Sequence, residues 1–114
     1  YSFSVFTHLS MEAMLAAFAA MRPAMKPDGV LIATVRPVEY WAFLDQLKSR
    51  SVASQFEAEH HKNGFAIELD PRSKTYGDSS VSLAVLRSIP DWKVVSWDRS
   101  MHDPMQVAVA FHPA

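Results

Sequence analysis

The run Val30-Leu31-Ile32-Ala33-Thr34-Val35, bounded by Gly29 and Pro37, constrains the fold of this chain more than any other stretch. It is continuously apolar or nearly so and shows no alternation with polar residues. Such a strand wants cover on both faces, as in a parallel sheet flanked by helices. The segments on either side supply candidates. Met11 to Met25 carries Met14, Leu15, Phe18, Met21 and Met25 at steps of three and four, one face of a helix. Ser10 is a good N-cap, and Glu12 falls in the first turn, where the helix dipole favours an anion. Pro23 interrupts the pattern, so the last turn is kinked or separate. Lys26-Pro27-Asp28-Gly29 is a tight turn by composition. Pro37 fits the first position of a second helix, running from Val38 to about Arg50 with Trp41, Leu44 and Leu47 on one face.

Beyond Arg50 the chain is more polar. Ser51 to Asn63 has a weaker signal, and Gly64 to Leu69 fits a short strand. Asp70 to Asp78 holds Pro71 and Gly77 and reads as a loop. Ser79 or Ser80 is placed to cap a helix through Val81, Leu83, Val85, Leu86 and Ile89, ended by Pro90-Asp91. Trp92 to Trp97 alternates as a strand, Asp98 to Pro104 is a connecting loop, and Met105 to Phe111 is a last strand. The final two strands are close enough to form an antiparallel hairpin. At the start, Tyr1 to Phe6 is β-prone. Its apolar pattern is already running at Tyr1, so that residue is expected to stand inside a strand begun upstream. The order of elements is that of an α/β domain.

A length of 114 residues suits one domain. Eleven basic against twelve acidic side chains leave a formal charge of −1, so nothing points to nucleic acid or to an anionic membrane surface. Without cysteine there is neither a disulfide nor a thiolate metal site, which is compatible with a cytoplasmic protein. No stretch reaches the ~18 consecutive apolar residues of a membrane-spanning helix. Glu57 and His60 would share a helix face, but adjacent His60 and His61 diverge and no third ligand is evident, so no metal is expected. His102 and Asp103 belong to a solvated loop.

Two motifs carry a resemblance. Ser4-Val5-Phe6-Thr7-His8-Leu9 is similar to the segment after the fourth strand in many small-molecule class I S-adenosylmethionine-dependent methyltransferases. Met25-Lys26-Pro27-Asp28-Gly29-Val30-Leu31-Ile32-Ala33-Thr34 resembles the "LkPGGxLlxT" segment leading into that family's fifth strand, with Asp28 in place of its commoner second glycine. One helix separates the two motifs, as in the family. The resemblance implies the C-terminal part of a Rossmann-like sheet. Its strands near Tyr1 and Val30 would be parallel. The strand near Gln106 would lie antiparallel between those of Val30 and Trp92. The family's glycine-rich turn and its ribose-binding acidic residue have no counterpart, since Gly29, Gly64 and Gly77 are far apart in sequence. The whole chain is therefore expected to be a single partial domain, inactive alone, of a protein that transfers a methyl group from S-adenosyl-L-methionine to a small-molecule acceptor.

In that family the loop holding Ser4, Val5 and His8 passes the methionine end of the cofactor. These three are the cofactor candidates, and His8 is the one candidate for a catalytic base. Phe6 and Thr7 would shape the acceptor pocket. Arg36, Tyr40 and Trp41 follow the carboxyl end of the Val30 strand, the edge at which α/β sheets bind ligands, and are candidates for an anionic or aromatic acceptor. Tyr76 to Ser80 is placed to lie over the same site, or else to be a turn followed by a cap. Methyl transfer from a sulfonium asks mainly for positioning and exclusion of water, and whether a base is needed depends on the acceptor. A non-enzymatic α/β module, binding a protein through a strand edge or through Tyr40 and Trp41, is the alternative. A different doubly wound enzyme has less in its favour, since neither a G-x-S-x-G elbow nor a phosphate loop occurs.

Overall fold

Ser10 begins the first helix as its sequence requires: its hydroxyl accepts from Ala13 N at 3.1 Å, and α1 runs Met11–Met21. A separate 3-10 turn, Arg22–Ala24, takes Pro23 at its start. The computed structural model describes residues 6–73, 76–99, 103 and 105–114. In chain order the further elements are β1 (Leu31–Val35), α2 (Tyr40–Lys48), α3 (Ala53–Asn63), β2 (Phe65–Leu69), β3 (Gly77–Val81), α4 (Leu83–Arg87), β4 (Trp92–Arg99) and β5 (Val107–Pro113).

The strands form two sheets, ordered β1-β5-β4 and β2-β3, and every pairing among the described residues is antiparallel. This corrects the expected parallel Rossmann-like sheet. The physical reason lies in the connections. β2 to β3 and β4 to β5 are joined by short loops, which return the chain alongside itself, whereas a parallel pair needs a long crossover. β5 lies between β1 and β4, Leu31 opposite Phe111 and Trp92 opposite Pro113, so the expected place of the last strand is the observed one. β4 and β5 slip register between Val94 and Ser96. The expected strand at Tyr1 to Phe6 lies, through residue 5, outside the described residues.

β1 is also less covered than its sequence implies. Leu31, Ala33 and Val35 face the main core, and Thr34 is buried on the other face, but Ile32 is 37% exposed. The main core joins α1 to this sheet. Phe18 stacks on Phe6 and meets Phe111 and Trp92 edge-on, with centroids 5.1, 4.9 and 5.7 Å away. Met14 is buried beside them, and Met11, Met21 and Met25 pack against the cluster, as thioether side chains do in irregular gaps.

A second, smaller core holds Tyr40, Trp41, Leu44, Phe56 and Ala66, with Trp41 stacked on Phe56 at 4.4 Å. It explains why Ser51 to Asn63 forms a helix despite its polarity. α3 lacks a capping side chain of its own, but Asp45 Oδ2 on α2 accepts from Ala53 N at 2.7 Å. α2 starts at Tyr40, so Pro37 stands in the preceding turn and not at the first helical position. Gly64, at φ 73°, ends α3 in the left-handed conformation that glycine takes without strain.

Candidate functional site

β3 is where the sequence expectation fails and where the site forms. Residues 77–81 are a strand, and the cap of α4 is Ser82, whose Oγ accepts from Val85 N at 3.2 Å. One edge of β3 pairs with β2. Along its other side, Gly77 N donates to His8 C=O (2.9 Å), Ser79 N to Thr7 C=O (2.9 Å) and Val81 N to Arg36 C=O (3.1 Å). A single strand thus draws together the segment after Phe6 and the connection between β1 and α2.

Asp78 is the meeting point. Its Oδ1 accepts from Arg36 Nη1 at 3.0 Å and from the Tyr40 hydroxyl at 3.1 Å, and His8 Nδ1 stands 3.6 Å away. The Arg36 guanidinium lies 3.9 Å above the Tyr40 ring centre, so cation–π attraction holds the same three groups together. His8 Nδ1 is hydrogen-bonded to Gly77 C=O at 2.8 Å, and its ring stacks on that of Tyr76 at 5.2 Å. Burial pushes the Tyr40 phenol up to about 12, with Arg36 opposing and Asp78 adding to the rise. The phenol therefore stays protonated at neutral pH and acts as a donor to Asp78.

A cavity of about 420 Å³ opens at this cluster. His8, Tyr76, Gly77 and Asp78 form one side of it, and Lys48, Glu68, Asp70 and Pro71 lie around the remainder. Glu68 is clamped by Arg50 through two short hydrogen bonds of 2.7 and 2.6 Å, and that bonding, with the attraction of Glu68 and Asp45, raises the Arg50 pKa against the cost of burial. A larger cavity, about 530 Å³, lies between α1 and residues 89–91, but its lining is mainly Leu15, Ala16, Ala19, Pro23 and Ile89. Its Arg22 is occupied by the carbonyls of Asp91 and Ala114. A third cavity, also about 420 Å³, lies along Ala42 to Ser54 and is lined by Asp45, Gln46 and Arg50, but the cavity at Asp78 is the one that sequence candidates line or reach, which makes it the candidate site.

The sequence candidates divide accordingly. His8 lines the cavity. Arg36 and Tyr40 reach it only through Asp78. Trp41 is buried in the second core, where its Nε1 donates to Ser80 Oγ at 2.8 Å. Phe6 and Thr7 are buried: Phe6 packs on Phe18, and its carbonyl accepts from Ser79 Oγ at 3.0 Å. Ser4, Val5 and His102 lie outside the described residues. His60 is buried against Ser80 Oγ at 2.8 Å, and no group of three or more His, Cys, Asp or Glu able to hold a metal ion occurs among the described residues. Asp78, Glu68 and Lys48 are the site residues sequence reasoning misses. Asp78 alone left a signal there, an acid beside Gly77 in the segment placed over the site.

No glycine-rich turn precedes a helix among the described residues, and the carboxylates of Asp78 and Glu68 already serve Arg36, Tyr40 and Arg50. No helix among the described residues is long and apolar enough to cross a membrane. Compared with family models, curated proteins and solved structures, the chain has no match in any of the three.

Proposed function

We propose that this chain supplies the acceptor-binding part of an S-adenosylmethionine-dependent methyltransferase acting on a small molecule. The supporting observation is the convergence at Asp78. His8 of the SVFTHL motif, Arg36 and Tyr40 after the fifth-strand-like motif, and Asp78 of β3 meet at the wall of one small cavity. The two motifs that carry the family resemblance are thereby brought to a common place, although nothing in their spacing requires it. The cavity's size suits a small ring compound, within the ~300–1,000 Å³ range of ligand sites. The methyl donor would be held chiefly by residues other than those described, and the cysteine-free composition fits a cytoplasmic setting. Arg36 and Tyr40 serve this reading as supports of Asp78, not as direct contacts to an acceptor. Burial of Tyr40 and Trp41 gives no support to a module that docks a protein partner through those rings.

The test uses the protein as its gene encodes it, incubated with methyl-labelled S-adenosylmethionine and a low-molecular-weight cell extract. Label should pass to a small molecule with matching release of S-adenosylhomocysteine. Asp78→Ala should lower the rate by about tenfold to a hundredfold, as loss of one positioning contact does. A wild-type protein that releases no S-adenosylhomocysteine above background with any acceptor pool would sink the reading.

A further inference from the structure

The 2.8 Å contact between His8 Nδ1 and Gly77 C=O fixes more than the position of the ring. A carbonyl oxygen only accepts, so the proton of the bond resides on Nδ1. In a neutral imidazole the other nitrogen, Nε2, then carries a bare lone pair. Among the described residues none hydrogen-bonds Nε2, and His8 lines the cavity with its side chain 27% exposed. The ring is held on two further counts. Tyr76 stacks on its face with planes 13° apart, and the backbone of His8 is tied to Gly77 N at 2.9 Å. The Asp78 carboxylate stands 3.6 Å from Nδ1, on the protonated edge, and is itself fixed by Arg36 and Tyr40. A ring oriented through one nitrogen, with a carboxylate behind that nitrogen, leaves the other free to meet a ligand.

We propose that His8 Nε2 is the proton acceptor of this cavity, acting on a small ring compound with an acidic O–H, phenolic or enolic, and that Asp78 is its positioning residue. In the step the O–H bond breaks, its electron pair stays on the substrate oxygen, and the proton goes to Nε2. The imidazolium so formed faces Asp78 across Nδ1. An imidazole base is matched to acidic hydroxyls far better than to aliphatic alcohols, which sets the substrate class. The inference deepens the acceptor-site reading above and rests on it for the identity of the proton donor.

4-Nitrophenol is the probe, since its ionisation is read directly by absorbance, and the variant is His8→Asn. Asparagine keeps an N–H near the Nδ1 position for Gly77 and removes the base. Bound to the wild-type protein, 4-nitrophenol should ionise about one pH unit lower than in solution, a tenfold change in its ionised fraction ratio. In His8→Asn the shift should vanish, and in Asp78→Asn it should shrink. Nitrogen-15 NMR on the unmodified protein should place the proton of neutral His8 on Nδ1, a readout that does not depend on any variant folding. The proposal is overturned by a proton on Nε2, by failure of 4-nitrophenol to bind, or by an equal shift in wild type and His8→Asn. Ionisation of the probe by a protein that transfers no methyl group would uphold the base and sink the methyl-transfer reading. Methyl transfer undiminished in His8→Asn would do the reverse.

Discussion

Ser80 Oγ stands 2.8 Å from both Trp41 Nε1 and His60 Nδ1, and the chemistry of the three groups orders their protons. Indole N–H only donates, so Ser80 accepts from Trp41 and its own hydroxyl is free to donate to His60. Neutral His60 with Nδ1 as acceptor completes the chain. Burial is the largest influence on His60 and lowers its pKa from 6.5; His61 beside it lowers it further, and Glu39 opposes. The folded pKa thus lies below the unfolded one. The unfolded chain binds the proton first as pH falls, so the contribution of His60 to stability is whole above about 6.5 and is lost on descending through the folded value. Urea unfolding between pH ~7 and ~5 should show this loss, and His60→Gln should flatten it. A slope unchanged in that variant would assign the acid sensitivity elsewhere. Tyr40 behaves in the opposite sense. Its pKa is raised from 10.0 to about 12, so the stability it contributes is whole below about 10 and fades as pH climbs through 12. None of this is visible in sequence, where His60 reads only as one of two adjacent, diverging histidines. Its partner Ser80 lies 20 residues away and was expected to cap a helix.

At the level of elements, the periodic segments were legible and the polar strand was not. The boundaries of α1 and β1 follow from caps, prolines and apolar spacing, all local signals, whereas β5 runs Val107–Pro113, two residues later at each end than the expected Met105 to Phe111. Gly77-Asp78-Ser79-Ser80 has the composition of a turn, and such residues are depleted from strands. The segment is a strand because its hydroxyls are satisfied from outside: Ser79 by Phe6 C=O, Ser80 by Trp41 and His60. Only tertiary contacts supply those partners. The same strand explains a glycine. A Cβ on Gly77 would strike the carbonyl of Glu68 on β2, with Leu69 Cα at 2.7 Å as well, and backbone yields less readily than a side chain. Gly77→Ala should therefore separate β2 from β3 and lower unfolding free energy by about 1–3 kcal/mol, the usual cost of overpacking. Because Gly77 also holds His8 through both its N–H and its C=O, the His8 ring signals should move in the same variant. A fully stable Gly77→Ala protein with unchanged His8 signals would show that the strands have room to spare.

For the whole molecule, the decisive quantity is what its backbone has left to offer a cofactor. The chain has three glycines, and each is already engaged. Gly64 ends α3 at positive φ, where a side chain would also meet Val85 and Ser82. Gly77 lets β2 and β3 approach. Gly29 closes the turn from Lys26, its N–H donating to Lys26 C=O at 2.9 Å, and a Cβ there would come within 2.8 Å of Met25. None opens a helix, where free N–H groups and the dipole would receive an anionic or polar ligand. The carboxylates that line the cavity are likewise engaged, Asp78 with Arg36 and Tyr40, Glu68 with Arg50, and Asp70 with the backbone N–H of Arg72. Antiparallel pairing adds to this, since a parallel sheet would have aligned several strand ends into one ligand crevice. Here β1 and β4 point the same way with β5 reversed between them. These 114 residues should accordingly bind S-adenosylmethionine no more tightly than about 1 mM, near −4 kcal/mol, while 4-nitrophenol still enters the cavity beside His8. Titration calorimetry of the chain with S-adenosylmethionine and S-adenosylhomocysteine decides it. A micromolar dissociation constant for either would mean that the cavity is the cofactor's own site, and that Asp78 and Glu68 exchange their arginine partners for a ligand when it binds.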